Sequence, residues 1–136
     1  MASLATPVSH LFENPSFENI IVENSDVLEC RDRSIAYDNH ISKQELFHCE
    51  LQPIHEWTDI DWEFLQKVKD TKPHLKLLTL HLASCCDKPF LNGKIFELGG
   101  KEYSRDEMKN FAKLNFIKIK NIFGTNVDIA IENNNY

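Results

Sequence analysis

Three residues have the types and placement for metal chemistry: His48, His81 and Glu132. His48 lies in an apolar run, Leu46-Phe47-His48-Cys49-Glu50-Leu51, that reads as a strand. His81 closes a second such run, Leu77-Leu78-Thr79-Leu80-His81, and Glu132 follows a third, Asp128-Ile129-Ala130-Ile131. In a parallel sheet all strand C-termini lie on one side, so these side chains are expected to converge. Two imidazoles and a carboxylate suit iron, zinc or manganese. Glu29 and His55 are further candidates, one ending a strand and the other following Pro53. Arg31 and Tyr103 are expected in loops that face substrate. Each residue also has a structural reading. A strand histidine can be a hydrogen-bonded core residue, Glu29 can be the partner of Arg31 or Arg33, and Glu132 can be an exposed terminal side chain.

Strands and helices that could position these residues alternate along the chain. Ala5 to Leu11 is a weak strand. Asn14-Pro15 starts a helix, because Asn caps and Pro suits the first helical position; Phe17, Ile20 and Ile21 give it an apolar stripe. Val27 to Cys30 is a second strand, ending in Arg31-Asp32-Arg33. Glu45 to Ile54 is a third, bent near Pro53. Thr58 and Asp59 cap a helix with Trp62, Leu65 and Val68 on one face, and Pro73 ends it. Leu75 to Ala83 is a fourth strand, apolar without alternation, as expected for a strand covered on both faces. Residues 84–103 read as a long, glycine-containing loop of the kind that serves as a lid or binding loop. Ser104-Arg105-Asp106-Glu107 is a capping box. It opens a helix bearing Met108, Phe111, Ala112, Phe116, Ile119 and Ile122, and Gly124 ends that helix. Val127 to Ile131 is the fifth strand. The order predicts an α/β fold with a parallel sheet in one domain over residues 1–136.

Composition argues against several classes. The chain has 136 residues, a 42% hydrophobic fraction and a net charge of −6. Its basic residues are scattered, whereas nucleic-acid binding needs clustered positive charge. No apolar run reaches the roughly 18 residues of a membrane span. The first sixteen residues lack the basic and apolar regions of a secretory signal. Cys30, Cys49, Cys85 and Cys86 form no Cys-x-x-Cys pair and read as free, largely buried thiols of a cytoplasmic protein. There is no dinucleotide fingerprint, P-loop or hydrolase nucleophile elbow. His48 and Cys49 are adjacent in a strand, so they point to opposite faces and cannot form a catalytic dyad.

Three stretches carry a family resemblance: Phe47-His48-Cys49-Glu50-Leu51, Thr79-Leu80-His81-Leu82-Ala83-Ser84, and Ile129-Ala130-Ile131-Glu132-Asn133 with Tyr136. In order and spacing they resemble the xylose-isomerase-like TIM-barrel superfamily of sugar isomerases, epimerases and endonuclease-IV-type repair enzymes. Within it they are most similar to the multinuclear non-haem iron oxygenases that modify peptide cysteines. The resemblance covers roughly Val27 to Tyr136, the N-terminal half of such a barrel. It implies a partial (β/α) barrel of about five parallel strands, a divalent metal on His48, His81 and Glu132, and a small-molecule or peptide substrate. One departure is that Cys49-Glu50-Leu51-Gln52-Pro53 stands where that family has small, glycine-rich residues. Later ligands of the family, an Asp–His pair and further acids, have no counterpart here. The terminal Asn run reads as a loop entry, and a chain of this length as a fragment of the whole barrel. The alternative is a non-catalytic fragment that associates with itself or a partner subunit through exposed sheet edges.

Overall fold

The computed structural model describes residues 2–133. Five strands form one parallel sheet: β1 (Ala5–Pro7), β2 (Val27–Arg31), β3 (Gln44–His48), β4 (Leu77–Leu82) and, after a separate hairpin, β7 (Asp128–Asn133). Their spatial order is their chain order, with no reversal. Helix α1 (Pro15–Glu23) connects β1 to β2, α2 (Asp59–Thr71) connects β3 to β4, and α3 (Arg105–Phe123) precedes β7. No α-helix joins β2 to β3; two 3-10 turns, Asp32–Ser34 and Ile41–Lys43, make that connection.

Local chemistry accounts for the helix ends. The Asn14 side chain accepts from the Ser16 N–H, with Pro15 in the first turn. Thr58 and Asp61 form a capping box at α2. At α3 the Ser104 hydroxyl accepts from the Glu107 N–H at 3.2 Å, and the Glu107 carboxylate accepts from the Ser104 N–H at 2.7 Å. Gly124, at φ 70°, closes α3 in a backbone region that other residues rarely enter. Ser104→Ala is expected to cost about 1 kcal/mol, seen as a lower urea midpoint that Ser104→Asp restores. An unchanged midpoint for Ser104→Ala would show that the cap adds nothing here.

The core lies on one face of the sheet. Cys30, Phe47, Cys49, Leu78 and Leu80 pack against Leu65 and Val68 of α2 and Ile119 and Phe123 of α3. Phe12, Val22 and Leu28 form a smaller cluster under α1. The opposite face carries Glu29, Arg31, Leu46, His48, Thr79, His81, Ala130 and Glu132, as the strand register and the two-residue side-chain period require. Its apolar members Leu46, Leu77 and Ala130 are only half-buried. The expectation that β4 is covered on both faces is therefore met on the helix side alone.

Four other expectations need correction. The first strand stops at Pro7, and a 3-10 turn, His10–Glu13, replaces its second half. On α1 the buried residues are Glu18 and Val22, while Phe17 and Ile20 face solvent. Glu18 is drawn inward by the Tyr37 hydroxyl at 2.6 Å and the Asn39 amide at 3.3 Å. The third strand ends at His48; two further backbone bonds tie residues 49–51 to β4, and the Gln52 side chain then accepts from the N–H groups of Ala83 and Ser84. Residues 84–103 are not a structureless loop. They contain an antiparallel hairpin, β5 (Phe90–Asn92) with β6 (Ile95–Glu97), turning at Gly93 with φ 63°. Among the described residues no helix is long and apolar enough to cross a membrane.

Candidate metal centre

Strand register brings the three predicted ligands together. His81 and Glu132 are direct neighbours across β4 and β7. His48 pairs with Thr79, two residues below His81 on the same face. Beyond β3, the Cys49 N–H donates to the Thr79 carbonyl at 2.8 Å and the His81 N–H to the Leu51 carbonyl at 3.3 Å, which holds both histidine backbones in place. Nε2 of His48 lies 2.6 Å from Nε2 of His81 and 2.9 Å from Oε2 of Glu132. The remaining edge, His81 Nε2 to Glu132 Oε2, is 3.8 Å. The three donor atoms all lie within 4.8 Å of one another. The imidazoles are mostly buried and the carboxylate is open on one side.

This geometry fits a cation. Donors about 2.0–2.2 Å from one ion sit about 3.0–3.5 Å apart, and the observed separations bracket that range. Two ring nitrogens facing each other at 2.6 Å also accommodate only one proton between them. A metal ion would satisfy both lone pairs and the carboxylate at once. A three-donor set leaves further coordination positions open, as catalytic sites require. A cavity of about 170 Å³ lies over the donors, lined by Arg31, His48, Glu50, His81 and Glu132.

Glu29 is not a fourth donor but lies behind one. Its Oε1 is 3.7 Å from Nδ1 of His48 and accepts from Nε of Arg31 at 3.1 Å. A carboxylate on the Nδ1 side favours the tautomer whose Nε2 lone pair faces the centre. Arg31, expected in a substrate loop, is the last residue of β2 and lines the cavity.

His55 and Tyr103 are elsewhere. His55 is buried, its Nε2 2.8 Å from the Ser84 carbonyl, and its ring stacks on Tyr103 at 5.1 Å. Tyr103 is likewise buried, edge-on to Phe111. The pair anchors the base of the hairpin segment against α3, so neither ring is presented to a ligand. Tyr136 lies outside the described residues.

Two residues at the site were not expected from sequence. Glu50 lines the cavity, and Asp32 accepts from the Glu50 N–H at 3.2 Å. The other Asp32 oxygen is buried with no hydrogen-bond partner among the described residues, and burial raises this carboxyl above its ordinary value. The position of Asp32 just past β2 is the only sequence signal that could have marked it. Cys49 is fully buried on the helix side, opposite His48, as strand alternation requires. Cys30 and Cys86 are also fully buried, and all four cysteines are free thiols.

No family model matches the chain, and neither does any curated protein or solved structure.

Proposed function

We propose that the chain is the N-terminal, ligand-bearing portion of a metal-dependent TIM-barrel enzyme of the xylose-isomerase-like type, closest to the multinuclear non-haem iron oxygenases. His48, His81 and Glu132 hold a divalent iron, zinc or manganese ion. The observation that carries this reading is the convergence of the three donors at the C-terminal ends of adjacent parallel strands, where barrel enzymes place their chemistry. The unreversed strand order supports it, since doubly wound sheets reverse at a switch point. The metal would supply Lewis-acid or redox chemistry to a substrate in an open coordination position. Within the chain, Glu29 orients His48, and Arg31 holds Glu29 in place. The substrate is a small molecule or a peptide.

Metal stoichiometry tests the reading. The protein is expected to bind one Co(II) or Zn(II) per chain in titrations followed by absorbance or calorimetry. His81→Ala is expected to abolish saturation. Equal binding by both proteins would overturn the reading.

A second reading is favoured by the sheet edges. The outer edges of β1 and β7 pair with no other strand among the described residues, and free parallel edges favour association. In that case the chain acts as a non-catalytic module, joining a second copy of itself or a partner subunit edge to edge. Sedimentation equilibrium separates the two: a metal-independent dimer favours the second reading, and a metal-loaded monomer the first.

A further inference from the structure

A second cavity, about 700 Å³, lies between the segments that follow β1 and β2. Its volume is that of a small-molecule site. Val8, Phe12 and Tyr37 supply an apolar wall, with the Phe12 and Tyr37 rings edge-to-face at 5.4 Å. The Tyr37 hydroxyl is committed to Glu18, so this residue offers a ring rather than a polar group. Arg31 and Arg33 supply the charge. Arg31 lines this cavity and the one over the metal ligands, so the two share a wall.

Of the two arginines in this wall, Arg31 is paired with Glu29. Arg33 has no carboxylate within 4 Å among the described residues. The neighbouring Asp32 carboxylate accepts instead from the Glu50 N–H. Glu13, the one acid in the lining, pairs with neither arginine. Arg31 turns Nε and Nη2 toward a single Glu29 oxygen, which leaves the rest of its five-donor fork uncommitted. A guanidinium fork fits carboxylate or phosphate oxygens in a bidentate manner. On a chain of net charge −6, an unpaired arginine in a concave, partly apolar wall is a selective place for an anion.

We propose that this cavity binds the oxyanion end of the substrate, a small organic carboxylate or phosphate ester with an apolar body, through Arg33 and Arg31. That its other end reaches the metal rests on the reading of His48, His81 and Glu132 given above.

The test uses the full chain, isotopically labelled and without added metal, titrated with 3-phenylpropionate, phenyl phosphate and the neutral 3-phenylpropanol. At least one anion is expected to bind, with amide shifts at Val8, Phe12 and Arg33. The alcohol is expected to bind at least about tenfold more weakly, the effect of losing one charge-assisted contact. Preference between the two anions identifies the headgroup. Arg33→Gln, an exposed substitution, is expected to weaken anion binding about tenfold while leaving Co(II) binding unchanged. Equal affinity for the alcohol, unchanged affinity in Arg33→Gln, or shifts away from these residues would overturn the proposal. Because the titration needs no metal, a protein that binds the anion but no Co(II) would retain this site and lose the metal reading.

Discussion

Glu132→Ala and His48→Ala are each expected to lower Zn(II) affinity by at least about 100-fold in competition with a chromogenic chelator. Loss of an outer partner alone costs about 10–100-fold, and these substitutions remove the donors themselves. Nε2 of His48 is the hub of the site, 2.6 Å from one donor and 2.9 Å from the other. Removing it leaves two donors 3.8 Å apart. Glu29→Gln keeps the shape of the side chain but removes the charge facing Nδ1, so a loss of about tenfold is expected. His55→Gln is the internal control. Its ring is engaged with Ser84 and Tyr103, so zinc affinity is expected to stay at the wild-type value. The same affinity in all four variants would show that no metal is held here, and a loss in His55→Gln comparable with that in His48→Ala would place the ion elsewhere.

Stability is expected to fall steeply above pH 9. Burial raises the Cys49 thiol far above its ordinary value of 9.0, helped by the Asp32 carboxylate, and burial also raises Cys30. Burial, then Glu18, raises Tyr37. For each group the folded protein keeps a proton that the unfolded chain releases. Its stabilising effect is complete below the unfolded pKa and is lost as pH rises toward the folded one. For Cys49 alone this amounts to about 1.4 kcal/mol by pH 10. Lys72 acts in the opposite sense. It is almost fully buried, with Nζ donating to the carbonyl of Tyr37 and the side-chain oxygen of Gln44, and burial lowers its pKa below 10.5. Its cost is present at neutral pH and is relieved as pH rises through its lowered pKa toward 10.5. Urea unfolding in reducing buffer at pH 7 and pH 10 measures the balance. Cys49→Ala is expected to lose about 1.4 kcal/mol less than the wild type over that interval. Identical losses in the two proteins would show that the Cys49 thiol ionises as readily folded as unfolded.

The candidate metal centre and the cavity beside it share one structural cause. Parallel strands in chain order place every strand C-terminus, and each segment that follows, on the same side of the sheet. Helices cover one face with apolar side chains, and the other is left to Glu29, Arg31, His48, His81 and Glu132. The interior of the fold and its chemistry are thereby separated by strand alternation alone.

The features legible in the chain were local ones. Asn14-Pro15, the Thr58 and Ser104 capping boxes and Gly124 set helix ends within a few bonds of themselves, so these ends were legible. The apolar runs around His48, His81 and Glu132 marked three strands for the same reason. The hairpin at residues 90–97 was also written locally, in Gly93-Lys94 between apolar residues, though the length of the segment suggested a loop. Tertiary structure decided the rest. Glu18 is buried and Ile20 exposed because Tyr37 and Asn39, about twenty positions away, supply partners for the carboxylate. His55 and Tyr103 were drawn into each other by packing at the base of the hairpin segment, which no local pattern specifies. Above all, the meeting of His48 with His81 depends on the register His48 with Thr79, and that of His81 with Glu132 on the pairing of β4 with β7. A slip of one residue would turn a ligand to the opposite face. Register is set by long-range pairing and by the burial of Phe47, Leu78 and Leu80 against α2 and α3, so residue types and strand ends could nominate the ligands, but only the folded sheet could bring them together.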